Sequence, residues 1–140
     1  MNTQEYALTP ANVNHNSFGK LFSCPVNGAV YAEPLWVPSL TANGSVRNVI
    51  FAVTLHDSLF AFDADANPCQ QLWQVSLIDS AHGGTTGEVT VESGSVGSSD
   101  IAPEIGVTGT PVIDPSNNTL YIVSKSQSTG PVFHQRGCMR

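Results

Sequence analysis

A histidine next to a carboxylate is the first pattern in this chain with the residue types for chemistry. His56 and Asp57 stand side by side between two apolar runs. Catalysis would also need a nucleophile aimed at this pair, whereas a turn needs only side chains that tolerate its backbone. We therefore interpret His56 and Asp57 as turn residues.

A second group of candidates consists of acids in a long, Gly- and Ser-rich segment, residues 79–104. Carboxylate oxygens are ligands that Ca²⁺ prefers, and long loops are often functional or disordered. The spacing matches no EF-hand loop, so we expect a solvated acidic loop, with a calcium site as the alternative. The five acids are Asp79, Glu88, Glu92, Asp100 and Glu104.

Three shorter motifs favour local structure over chemistry. Asp63 and Asp65 lie in a DADANP run and are predicted to form Asx turns, with a carboxylate pair as the alternative. Ser17-Phe18-Gly19-Lys20 fits the S-x-x-K acylating motif, but its companion motifs and a helix to carry it are lacking. The acceptor patterns at Asn43 and Asn117 are expected by chance in a chain rich in Asn, Ser and Thr.

The cysteines indicate neither zinc nor redox chemistry. Cys24, Cys69 and Cys138 are an odd number and contain no C-x-x-C pair. One disulfide is possible, and the sequence does not say which cysteines would form it. We interpret them as small, partly buried thiols. The predictions therefore include no catalytic, cofactor-binding or metal-binding residue.

Composition excludes several classes of protein. The 140 residues carry five Lys and Arg against eleven Asp and Glu, a net charge of −6, which argues against binding nucleic acid. At 41% apolar residues the chain can bury a core, and no apolar run is long enough to span a bilayer. The first residues, MNTQEYALTP, do not resemble a signal peptide.

The elements that must position these residues are predicted to be short antiparallel strands. Apolar runs alternate with turn residues, and no sustained helical period occurs. Residues 39–47 are expected to form a polar loop between two of the strands. The predicted strands are 21–26, 30–37, 48–54, 59–62 and 72–78.

Two overlays within the chain indicate a repeat. Residues 21–26 match residues 72–77 at a constant offset of 51, with their alternation in phase. Residues 33–38 (EPLWVP) likewise resemble residues 110–115 (TPVIDP). A unit of about 50 residues with four short strands is typical of a β-propeller blade. Aromatic residues at regular strand positions are then expected to pack between blades, with sugar stacking as the alternative; these are Trp36, Trp73, Phe60 and Phe62.

Residues 48–73, NVIFAVTLHDSLFAFDADANPCQQLW, resemble the repeat of the PQQ-like β-propellers. That repeat combines an apolar strand, an Asp-containing turn, a strand ending in Asp and a closing Leu-Trp. Residues 106–125 look like the first two strands of a following blade. Quinoprotein dehydrogenases of this kind use adjacent cysteines and a calcium held by Glu, Asn and Asp. This chain has no adjacent cysteine pair, so we expect no quinone cofactor.

The resulting prediction is an all-β, incomplete propeller over residues 1–140. It comprises a blade core (21–78), an inter-blade loop (79–105), the start of the next blade (106–125) and a tail without repeat character (126–140). We expect a fragment, or a truncated product, of a larger propeller that acts as a scaffold or binding module. The alternatives are a segment of a PQQ-dependent dehydrogenase and a carbohydrate-binding module.

The resemblance also implies a location and a kind of partner. It implies a secreted or cell-surface parent protein, extracellular or periplasmic. The expected partners are the remaining blades of that parent, or other copies of the chain joined through unpaired strand edges.

Overall fold

The computed structural model describes residues 8–42, 44–97, 99–128 and 133–136. These residues form an all-β structure of antiparallel sheets with two short 3₁₀ helices, Ser80–His82 and Ser93–Val96. The all-β prediction is therefore confirmed. None of the helices in the described ranges has the length and apolar character needed to cross a bilayer.

The first sheet is a four-stranded meander in which every strand pairs with the next along the chain. Its spatial order is β1-β2-β3-β4. The β2–β3 pairing is regular, whereas β1 has an irregularity between Val37 and Leu40. The four strands are β1 Leu35–Ala42, β2 Ser45–Val53, β3 Ser58–Asp63 and β4 Gln70–Ser76.

The other strands form two smaller groups. A hairpin of β7 and β8 stands as a two-stranded sheet, and four further strands are ordered β10-β9-β5-β6. These strands are β5 Val89–Glu92, β6 Glu104–Ile105, β7 Val112–Asp114, β8 Thr119–Tyr121, β9 Ser124–Gln127 and β10 Phe133–Arg136.

The sequence prediction is wrong about the start of the first sheet. Residues 21–26 form no strand, and β1 begins at Leu35 rather than at residue 30. Pro25 lacks the N–H that a ladder needs, and Pro34 directly precedes β1. The alternation predicted for residues 21–26 persists without a ladder, because residues 22, 24 and 26 are half-buried while their neighbours are exposed. The predicted polar loop 39–47 is mostly strand, since β1 and β2 extend into it.

The prediction of a loop over residues 79–105 is also wrong. The predicted loop contains β5, β6 and both 3₁₀ helices, and residues 126–140 contribute half of β9 and all of β10. Thr90 of β5 lies opposite Ser126, and Ser126 lies opposite His134 on the other side of β9. Segments without a periodic apolar pattern thus become strands through pairing that is distant in sequence.

The two similar segments, residues 33–38 and residues 110–115, each contain the start of the first strand of a hairpin, β1–β2 and β7–β8. In both, the first strand starts directly after a proline, at Leu35 and at Val112. Trp36 then lies opposite Ile50 in one hairpin, as Ile113 lies opposite Leu120 in the other.

Both faces of the first sheet are covered. On one face, Val49, Phe51, Val53, Leu59 and Ala61 form a core with Val107, Leu120 and Ile122, from the segment that contains the β7–β8 hairpin. On the opposite face, Ala52, Phe60 and Phe62 contact the N-terminal segment and Cys69. Burial on two faces explains why β2 and β3 are nearly continuous apolar runs rather than alternating ones.

A disulfide joins Cys24 to Cys69 across this second face. The interpretation of these two cysteines as free thiols is therefore wrong. The bond connects residues 45 positions apart and holds the N-terminal segment against the sheet. Cys138 lies outside the described residues.

Candidate functional site

The candidate site is built around the turn that joins β2 to β3. The N–H of Thr54 donates to the carbonyl of Ser58 at 3.0 Å, which closes the turn. Asp57 adopts a left-handed backbone with φ of 47°, a conformation that Asp and Asn tolerate better than most residues. Its carbonyl accepts from the N–H of Leu77 at 2.7 Å, which ties the turn to the end of β4. The prediction that His56 and Asp57 form a turn is confirmed.

The side chain of Asp57 differs from that of an ordinary turn residue because it is fully buried. Within the described part of the chain, no donor meets the geometry of a hydrogen bond with either carboxyl oxygen. Burial raises the pKa of this carboxyl to about 8, and the negative charges of Glu104 and Glu88 act in the same direction. The backbone N–H of Lys125 lowers the pKa by a smaller amount. Asp57 therefore holds a proton in the folded chain at neutral pH.

Two of the loop acids lie beside Asp57 instead of in solvent. Glu104 is within 3.0 Å of His56 Nδ1 through both oxygens, and it accepts from Thr90 Oγ1 at 2.6 Å. Glu88 is buried, where it accepts from the hydroxyl of Ser126 and from the N–H of Thr85. The prediction of a solvated acidic loop is therefore wrong for Glu88 and Glu104. We call Asp57, Glu88 and Glu104 the carboxyl cluster.

The remaining loop acids point elsewhere. Asp79 caps the first 3₁₀ helix and contacts His82 Nδ1 at 2.6 Å, whereas Glu92 and Asp100 are exposed. Within the described ranges, no set of three or more His, Cys, Asp or Glu side chains is arranged to hold a metal ion.

A close backbone approach brings the carboxyl cluster together. A Cβ at Gly106 would lie 2.2 Å from the carbonyl oxygen of Leu55 and 2.7 Å from an oxygen of Asp57. Only glycine fits there, and the segment 104–107 can then pack directly on the β2–β3 turn. The N–H of Val107 donates to the carbonyl of Thr54 at 3.3 Å, which fixes this contact.

A second feature is a cleft of about 740 Å³ between the first sheet and the β7–β8 hairpin. One wall consists of residues 37–41 of β1 together with Phe51, Leu59 and Trp73. The facing wall consists of Ile113, Pro115 and residues 118–120. We call this space the hairpin cleft.

The aromatic residues divide into two groups. Phe60 and Phe62 are buried and stacked with ring centroids 5.7 Å apart, and Trp73 packs against Phe51, so packing is confirmed for these three predicted residues. Trp36 is 60% exposed on β1, so the expectation of packing is wrong for it. Trp36 alternates along β1 with Leu35 and Val37, which pack against the core, so its indole points to the other face of the sheet.

The minor motifs behave as local structure. Asp63 accepts from the N–H of Asp65 at 3.0 Å, which confirms the Asx turn, and this bond together with the Arg47 guanidinium lowers the pKa of the Asp63 carboxyl. Ser17 donates to the carbonyl of Asn12 in a turn, and no helix carries Ser17 and Lys20. The acceptor position Asn43 lies outside the described residues. The side chain of Asn117 accepts from the N–H of Thr119.

Comparison with known proteins identifies no relative of this chain. The chain matches no protein-family model, no curated protein and no solved structure.

Sequence reasoning missed the carboxyl cluster and the hairpin cleft for a physical reason. Glu88 and Glu104 are 31 and 47 residues from Asp57, and no local pattern reports such a contact. One signal was present, since a glycine between two apolar residues, as at Ile105-Gly106-Val107, often marks a close backbone approach.

Proposed function

We propose that this chain is a non-catalytic repeat unit of a β-propeller and acts as a scaffold or binding module. The observation that carries the proposal is the four-stranded meander with a second hairpin packed on its face. Consecutive blades of a propeller pack face to face, and each needs its neighbours to cover apolar surface. The core that joins Phe51 and Leu59 to Leu120 and Ile122 is a contact of this kind.

The disulfide supports a secreted or cell-surface setting for this unit. Disulfides persist in oxidising compartments and are rare in the reducing cytosol. The Cys24–Cys69 bond closes the face of the sheet opposite the β7–β8 hairpin, where a preceding blade would pack.

Strand edges are the surfaces through which this unit would join others. In the described part of the chain, β4 has a paired neighbour on one side only, and its sequence QQLWQVS contains no charge and no proline. The opposite edge, β1, is interrupted by Pro38 and by an irregular register. Because charge and proline protect edges from pairing, β4 is the less protected of the two.

We therefore expect the chain to self-associate through β4. Light scattering coupled to size-exclusion chromatography should give a mass of at least twice the 14.8 kDa of one chain. Lysine at the exposed positions Gln71 and Gln74 should restore the monomer mass, because charged side chains disfavour pairing of two edges.

The control is Asn16→Lys, which adds one positive charge, as each of the two lysines does, at an exposed position outside the strands. It should leave the measured mass of the wild type unchanged. A sharp monomer peak with cooperative melting for the wild type would refute the proposal that this unit needs neighbours.

Carbohydrate binding is the second candidate, because Trp36 presents its indole to solvent. Exposed aromatic rings can stack on sugar rings. A glycan array should then give a signal that is lost in Trp36→Ala and retained in Tyr121→Ala, whose ring is less exposed. An array without signal above background rejects this candidate.

A further inference from the structure

We propose that the hairpin cleft binds a small, uncharged molecule that carries an aromatic ring system. This inference rests on the proposed function as a binding module and names the ligand class for one site. The cleft has the size of a small-molecule site, since such sites usually measure about 300 to 1,000 Å³.

The residues that line the cleft favour an uncharged ligand. Among the described residues, no Asp, Glu, Lys, Arg or His lines the cleft, although the chain as a whole carries a net charge of −6. A charged ligand would lose its hydration there without gaining an ionic partner. An uncharged molecule avoids that cost.

The aromatic residues of the lining determine the shape of the ligand. Phe51 and Trp73 lie side by side with ring centroids 5.8 Å apart and planes tilted by 49°. Val37, Leu40 and Ile113, which are half-buried, surround them with apolar surface. Flat aromatic ligands fit such a lining because offset or edge-to-face contacts between rings add to simple burial.

The polar groups of the cleft are few. Ser39, Thr41 and Asn118 are exposed members of the lining. Their hydroxyl and amide groups can hydrogen-bond a single polar substituent of the ligand. A sugar, which needs many such bonds, is disfavoured by the mainly apolar walls.

A matched pair of probes tests the proposal. N-phenyl-1-naphthylamine is uncharged, and 1-anilinonaphthalene-8-sulfonate has the same ring system with an added sulfonate. The experiment uses the full chain with Trp36→Phe, so that Trp73 is the only remaining tryptophan. We expect saturable binding of one uncharged probe per chain, quenching of Trp73, and at least about tenfold weaker binding of the sulfonate.

Variants of the lining locate the site. Leu40→Glu places a charge in the wall, and Thr41→Arg places one at an exposed position of the lining where folding is not at risk. Both should weaken binding of the uncharged probe by about tenfold or more. Leu21→Glu is the control, since Leu21 in the N-terminal segment is exposed and lies outside the lining. The affinity of this variant for the uncharged probe should stay within about twofold of that of the parent chain.

Three outcomes would overturn the proposal. They are no saturable binding, equal affinity for the two probes, and binding unaffected by Thr41→Arg. Light scattering on the same samples reports association through β4 separately. Loss of probe binding with retained association rejects the ligand site and leaves the proposed repeat unit standing.

Discussion

Replacing Cys24 or Cys69 by serine lowers the free energy of unfolding by roughly 2–4 kcal/mol, a large share of the stability of a small domain. The bond closes a loop with a sequence separation of 45 residues. Without it the unfolded chain gains conformational freedom that the folded chain does not, and this difference favours unfolding.

Packing adds to this effect of the disulfide. Cys24, Val26 and Cys69 contact Ala52, Phe60 and Phe62 on the second face of the sheet. The residues that surround Cys24 form no ladder, so the disulfide and these side-chain contacts hold them in place. Further along the segment, the N–H of Leu55 donates to the carbonyl of Ala29 at 2.9 Å. Its detachment would expose two phenylalanines to water, where each buried large side chain is worth about 1.5–3 kcal/mol.

Urea denaturation of the oxidised wild type and of each serine variant measures the loss. Cys138→Ser is the matched control, because it removes the one cysteine outside the bond. It should leave the unfolding curve unchanged within about 0.5 kcal/mol. Peptide mapping that finds Cys138 bonded to Cys24 or Cys69 would contradict the assigned pairing, as would equal effects of all three substitutions.

Replacing Asp57 by asparagine should make the protein more stable at pH 8 and remove much of its pH dependence between about pH 4 and pH 8. The raised pKa of about 8 means that the folded chain binds a proton in this range while the unfolded chain does not. The free energy of unfolding then falls as pH rises, by about 1.4 kcal/mol per pH unit for one proton. The favourable contribution is complete below the unfolded pKa and is lost as pH rises through the folded value.

Asparagine is suitable for this test because it resembles the protonated carboxyl in shape and tolerates the left-handed backbone at position 57. It also removes the repulsion between Asp57 and its neighbours Glu88 and Glu104. Urea unfolding at several values from pH 5 to pH 8.5 gives the free energy for each protein. The difference between wild type and variant isolates Asp57 from other groups that titrate in the same range.

Glu92→Gln is the control for charge alone, since Glu92 is exposed on β5. Its free energy of unfolding should follow that of the wild type at a constant offset. Parallel curves for the wild type and Asp57→Asn would show that Asp57 does not hold a proton in the fold.

Features that depend on residues close together in the sequence can be predicted from it, whereas features that depend on contacts between distant segments cannot. The strands around Phe51 and Phe60 were predicted because their side chains are apolar and their turn residues are local. Strand β9 is not evident from the sequence, because Ser124 and Ser126 are polar and one of the two strands that flank β9 is the distant β5. Their burial becomes favourable only when partners such as the Glu88 carboxylate accept their hydrogen bonds.

The sequence by itself determined the all-β class, the apolar strands β2 and β3, and the turns at His56-Asp57 and Asp63-Asp65. Local backbone preference and burial pattern are enough to specify such features. Only the tertiary structure decided that Cys24 bonds to Cys69, that Glu88 and Glu104 lie beside a buried Asp57, and that a cleft opens beside Trp73. These features depend on contacts between distant segments, which no local pattern of residues encodes.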